Sequence, residues 1–100
     1  MEIQLVFEFV DEEAGHYRAE RLVDLPAVPR VGEMIWVAKV FALRVKGVSW
    51  LWKGEHFPSL WLERSEGTSS SIEQLDSLTL KIPPSYVKDL RDAGWSIDIP

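Results

Sequence analysis

The first ten residues alternate. Ile3, Leu5, Phe7 and Phe9 share one parity, and Glu2, Gln4 and Glu8 share the other. A period of two built from branched and aromatic residues predicts a strand with one buried face. Asp11–Gly15 is polar and ends in glycine, which predicts a hairpin loop. His16–Leu25 returns with Tyr17, Ala19, Val23 and Leu25 on one side. Arg21 falls on that same side, so an edge or a register irregularity is expected there. Pro26 and Pro29 cannot sit inside a paired strand and predict a stiff extended connector, with Gly32 turning into the next strand. Met34–Ala38 and Phe41–Trp52 follow as two strands joined tightly at Lys39-Val40. The second changes phase: Phe41, Leu43 and Val45 have one parity, and Val48, Trp50 and Trp52 the other. One extra residue at Gly47, a β-bulge, puts both sets on one face and bends the strand.

Lys53-Gly54-Glu55 reads as the next hairpin turn, and His56–Arg64 as the return strand, made irregular or placed at an edge by Pro58. Glu66–Ser71 is a polar loop. Ser71-x-x-Gln74 fits a helix capping box, so a short helical turn is weighed over residues 71–77. Leu78, Leu80 and Ile82 alternate as a strand that Pro83-Pro84 stops. Pro84–Ala93 carries the apolar stripe Val87 and Leu90, proline suits its first position, and Gly94 supplies a left-handed stop after which Trp95 folds back. Trp95, Ile97 and Ile99 alternate in a last strand. Hairpins in succession predict a mainly β (α+β) chain with an antiparallel sheet. The expected architecture is one domain over residues 1–100: a small, strongly bent barrel from residue 2 to 64, and a strand–helix–strand extension over 65–100 with its helix about 84–93.

Composition narrows the setting. With 46% hydrophobic and 27% charged residues the chain is globular, not disordered. It has no cysteine, which excludes disulfides and thiolate metal sites and favours a reducing compartment, expected to be the cytoplasm. The N-terminal strand bears acids where a signal peptide has a basic flank, and no apolar run is long enough to cross a bilayer. The net charge of −5 is unevenly spread. Residues 1–29 hold two bases against seven acids, residues 30–56 five against two, and residues 57–100 four against seven. Nucleic acid and anionic lipid are repelled overall, and only the middle segment offers them a positive face.

Leu25-Pro26-x-x-Pro29-x-x-Gly32-Glu33-x-Ile35, then Phe41-x-x-x-Val45-x-x-Val48-x-Trp50, resembles a pattern in small bacterial SH3-like β-barrel proteins and in phage head–tail connector-like barrels. The likeness covers about residues 22–52. It implies an SH3-like barrel and transfers no catalytic residue. Glu33 stands where aspartate is more usual, and Lys39-Val40 lacks the glycine or asparagine such turns favour.

The five tryptophans are the most unusual chemistry. As large side chains they are expected mainly to fill the core of a small barrel. The alternative is that Trp50, Trp52 and Trp61, which flank one hairpin, include one or two exposed anchors for a partner. Arg44 and Lys46 project together from the same hairpin, either as a solvated edge or as a face for an acidic partner or single-stranded nucleic acid. His16 and His56 lack metal-ligand spacing, and Ser69–Ser71 lack a nucleophile's context. With no phosphate loop, nucleotide fingerprint or paired carboxylates, no catalytic residue, cofactor or metal is assigned. The expectation is a non-enzymatic interaction module that meets a protein partner or its own copy through the Trp50–Trp61 hairpin, with Trp50, Trp52, Trp61, Arg44 and Lys46 as its contact residues, or through a free sheet edge. A nucleic-acid-binding barrel and a ligand or enzymatic pocket near His56 are the alternatives.

Overall fold

In the computed structural model, residues 1–13, 15–39, 41–76 and 78–99 are described, Trp52 by its backbone alone. They form β1 (Glu2–Val10), β2 (His16–Asp24), β3 (Met34–Ala38), β4 (Phe41–Trp52), β5 (Glu55–Glu63), β6 (Glu73–Gln74), β7 (Thr79–Lys81), α1 (Pro84–Asp92) and β8 (Ser96–Asp98). The strands make one mainly antiparallel sheet, ordered β3-β4-β5-β1-β2-β8 and curled into a half-barrel. Among the described residues no helix is long and apolar enough to cross a membrane.

β1 is the spine of this sheet. β2 pairs antiparallel along its full length, from Glu2 opposite Asp24 to Val10 opposite His16. On its other side β5 runs parallel to Gln4–Val6, and β7 runs parallel to Glu8–Val10. A succession of hairpins does not predict these parallel ladders. β1 is also buried on both faces over part of its length. Ile3, Leu5, Phe7 and Phe9 enter the core, while Val6, of opposite parity, is also sealed and Gln4 is nearly so. The one-sided burial expected from its alternation is corrected accordingly.

The register of β1 and β2 is unbroken through Arg21, but β8 pairs only with Arg18–Glu20. Arg21 therefore takes the inner parity where β2 becomes an edge, the cheaper of the two solutions expected for a charge on that face. Val45 faces Leu62 and Gly47 faces Trp61, so Lys46 is the extra residue of a bulge. Val45 and Val48 both pack on the core as a result. A second irregularity sets Trp50 against both Phe57 and Pro58, because β5 moves from Ser59 opposite Ser49 to His56 opposite Leu51. Pro58, which lacks an N–H, sits where the ladder is interrupted.

Gln74 ends up in a strand. Its Oε1 accepts the Arg64 N–H at 2.8 Å, and β6 pairs with β7. The capping-box reading of residues 71–77 is thus corrected over the described residues 71–76, with Ser77 outside them. Tertiary pairing outweighs a local cap that stabilises by about 1 kcal/mol. Val40, of the expected Lys39-Val40 turn, and Ala14, of the first loop, also lie outside the described residues.

α1 begins at Pro84 after the extended Pro83 and ends in a left-handed Gly94 (φ 97°). The Gly94 N–H donates to Arg91 O at 3.1 Å and the Trp95 N–H to Leu90 O at 3.0 Å, which satisfies two terminal carbonyls. The same two residues, Leu90 and Trp95, join the core of Phe7, Phe9, Leu43, Leu60 and Leu62. The last third of the chain therefore supplies part of the core, and β7 supplies a neighbour of the central strand. It is not an appendage to a core closed by residues 2–64.

The expectation that tryptophans fill the core is also corrected. Trp95 is buried, Trp61 is half-buried, and Trp36 and Trp50 are 70% and 59% exposed. The Trp52 side chain lies outside the described residues. Phenylalanines and aliphatics do the filling. Trp36 stands on an edge strand, and Trp50 on a stretch of β4 that has outrun its β3 neighbour.

Candidate interaction surface

β4 is longer than the strand beside it. β3 pairs with Phe41–Arg44, and the Val45 N–H still reaches Glu33 O at 2.8 Å. From Lys46 to Trp52, β4 pairs only with β5 among the described residues. The two strands thus form a two-stranded arm with one open edge. Its turn holds Lys53 (φ 51°) and Gly54 (φ 84°) both left-handed, the geometry whose twist matches that of a right-twisted hairpin. The lysine is tethered: its Nζ lies 3.5 Å from Glu20 Oε2, which also lies 3.5 Å from Gln4 Nε2. The tip of the arm is therefore drawn toward the outer parity of β1 and β2.

The five residues expected to form a site are split by this arrangement. Trp50 and its neighbour Leu51 (56% exposed) stand at the tip. Trp61 lies lower, opposite Gly47 on β4 and Val6 on β1, and is half-buried. Arg44 is at the base, where its Nε and Nη2 donate to Glu63 Oε1 at 3.0 and 2.5 Å. Lys46 is half-buried at the bulge and engaged by neighbouring groups. Two of the five basic groups of the middle segment, Arg44 and Lys53, therefore face carboxylates across strands. This removes much of the positive field that a nucleic-acid face needs. His56 is exposed on the arm opposite Leu51.

No known family model, curated protein or solved structure matches this chain.

Of the clefts that lie elsewhere, two border the first hairpin and the β3 edge, and neither was singled out by sequence pattern. One, of about 300 Å3, is lined by Asp11, Glu12, Glu13 and Tyr17 of the first hairpin, by Pro84, Val87 and Arg91 of α1, and by Ile97. Its carboxylates are not all available. Asp11 Oδ1 accepts the Gly15 and Glu13 N–H groups at 2.9 and 3.0 Å. The Gly15 bond, with help from Tyr17, holds the Asp11 carboxyl below its usual range, and the same Asp11 raises the Tyr17 phenol. These contacts organise the loop and stack Tyr17 on Phe9 at 5.3 Å. The other cleft, of about 520 Å3, lies between the β3 edge and β2 and is lined by Arg21, Trp36, Val37, Ala38, Lys39 and Ala93. Sequence reasoning placed Trp36 in the core. The available signal was the shortness of its strand, since very short strands are one way that sheets protect an edge.

Proposed function

We propose that this chain is a non-enzymatic protein-interaction module that pairs with a second copy of itself through the β4–β5 arm. One observation carries the reading: Trp50 and Leu51, adjacent and each more than half exposed, stand on a stretch of β4 whose outer edge has no strand beside it among the described residues. An open edge offers backbone donors and acceptors, and neighbouring large apolar groups add the desolvation that makes such pairing persist. A strand edge can meet its own copy about a twofold axis without any further sequence. Two parts of the sequence reading belong to the same proposal. The SH3-like resemblance is supported by the strongly bent β3–β4–β5 meander, while the parallel β1–β5 ladder departs from a purely antiparallel hairpin series. A cytoplasmic location is supported by the lack of cysteine.

The test is sedimentation velocity over a concentration series, with Trp50→Ser and Leu51→Ser as variants. The weight-average mass is expected to rise toward twice 11.5 kDa for the parent chain and to stay at the monomer value in the double variant. A parent chain that is monomeric at every concentration overturns the reading, as does a dimer indifferent to both substitutions.

A further inference from the structure

The half-barrel has an open seam, and the groove along it is a second and different surface. β3 ends the sheet on one side. On the other, the outer edge of β2, the side away from β1, has no strand beside it past Glu20 among the described residues, because β8 stops there. The Val45 N–H bonds Glu33 O, so the alternation of an antiparallel ladder turns the N–H and C=O of Met34 and Trp36 away from β4 and toward the open side. Across the groove stands Arg21, and a Cβ at Gly94 would come 3.7 Å from its Nε. Val37, one of its lining residues, is held from within by the buried Trp95, whose Nε1 donates to Val37 O at 2.6 Å.

The charge of this groove has one sign. Among the described residues Arg21 and Lys39 are its only ionisable lining residues, and neither has a carboxylate within 4.0 Å, whereas ion pairs form elsewhere, as at Met1–Asp24, Arg18–Glu8, Arg44–Glu63 and Lys53–Glu20. Asp89 and Asp92 share an adjoining cleft of about 200 Å3 with Lys39 without reaching it. Two cations, an exposed indole and unpaired edge amides make a surface for a strand that carries acids on one side and apolar groups on the other. In a chain of net charge −5, a positive groove of this kind is a local exception.

We propose that the seam binds an acidic extended peptide. The peptide adds to β3 as a further strand, its backbone meeting Met34 and Trp36, its carboxylates meeting Arg21 and Lys39, and its apolar side lying on the Trp36 ring. This surface is independent of the β4–β5 arm, so either reading can fail alone.

The experiment titrates the full chain into a labelled, end-blocked octapeptide of alternating glutamate and valine, followed by fluorescence anisotropy. Two further probes are used: the lysine–valine counterpart, and a glutamate–valine peptide N-methylated at alternate residues so that it cannot pair as a strand. The expected result is binding of the first probe alone, weakened roughly tenfold or more by Arg21→Glu, by Lys39→Glu and by Trp36→Ser, each the removal of one charge-assisted or apolar contact, and unchanged in Trp50→Ser. Lys39 and Trp36 are exposed, so their variants report even if Arg21→Glu fails to fold. Equal affinity for the lysine probe, equal affinity for the methylated probe, or no binding overturns the proposal. So does a seam closed by a second copy, seen as a dimer that Arg21→Glu dissociates and that the peptide does not displace.

Discussion

Replacing Trp95 with phenylalanine isolates the link between α1 and the sheet edge. The indole is 4% exposed, meets Phe7 edge to face with ring centroids 5.0 Å apart, and donates to Val37 O at 2.6 Å. Phenylalanine retains most of the apolar volume but cannot donate. The Val37 carbonyl, on a residue 1% exposed, then loses its side-chain partner, at a cost of about 1–3 kcal/mol. The lost part of the ring adds roughly 1 kcal/mol of transfer and cavity energy. Together the loss is about 3 kcal/mol, or roughly 12–24 °C in Tm for a domain of this size. Urea unfolding followed by circular dichroism measures it, with Trp36→Phe as control. The control indole is 70% exposed, and its variant is expected within about 0.5 kcal/mol of the parent. A Trp95→Phe variant that loses no more than the control refutes the reasoning, because it would mean that neither the hydrogen bond nor the burial of the ring holds α1 to β3.

Four other outcomes follow from particular positions. A Cβ at Gly47 meets nothing within 4 Å and its φ is not left-handed, so Gly47→Ala is expected to stabilise by about 0.5 kcal/mol in urea melts. Gly54 has φ 84°, so Gly54→Ala is expected to destabilise by about 1 kcal/mol and to loosen the arm's turn. Among the described residues Ser59 Oγ is buried without a hydrogen-bond partner, so Ser59→Ala is expected to be neutral or stabilising by about 1 kcal/mol, and a clear loss would reveal a partner for that hydroxyl. The Leu78 and Thr79 N–H groups donate to Asp76 Oδ1 at 3.0 and 2.8 Å and hold its carboxyl below the usual range. A lowered folded-state pKa gives stability that is present above the unfolded value of about 4 and is lost as pH falls through the folded value. Asp76→Asn should therefore flatten the dependence of stability on pH below about 4 in denaturant titrations, and an unchanged slope would count against the bond.

The strands were legible where the physics is local. Alternation marks Glu2–Val10 and His16–Asp24, and the phase change across Lys46-Gly47 announces a bulge because only an added residue can keep Val45 and Val48 on one face. Pro84 and Gly94 bracket α1 because ring geometry and a missing Cβ act within a single turn. The parallel ladders on β1 were not legible, since pairing Gln4 with Ser59 leaves no mark in either strand's own pattern. Ser71 and Gln74 carry the letters of a helix cap, yet Gln74 is taken by the Arg64 N–H, a partner ten residues away. Of the expected site, the hairpin carrying Trp50 was found, but its grouping was not: Arg44 belongs to Glu63, and Trp61 sits lower against β1. The seam with Arg21 and Trp36 escaped because it exists only once the sheet curls its two ends toward each other. Arg21 on an apolar face was the one local hint.

The long-distance partners of β1 also set the order of events as the chain folds. Gln4 must find Ser59 and Glu8 must find Thr79, 55 and 71 positions further on. β1, ahead of these partners in the chain, is thus among the last strands to be completed, and until residue 81 is available its Glu8–Val10 segment stays bare on one flank. Such distant closures slow folding relative to a helical chain of equal length. A fragment ending near residue 64 would be expected to collapse without settling and to aggregate through the flank that β7 normally occupies.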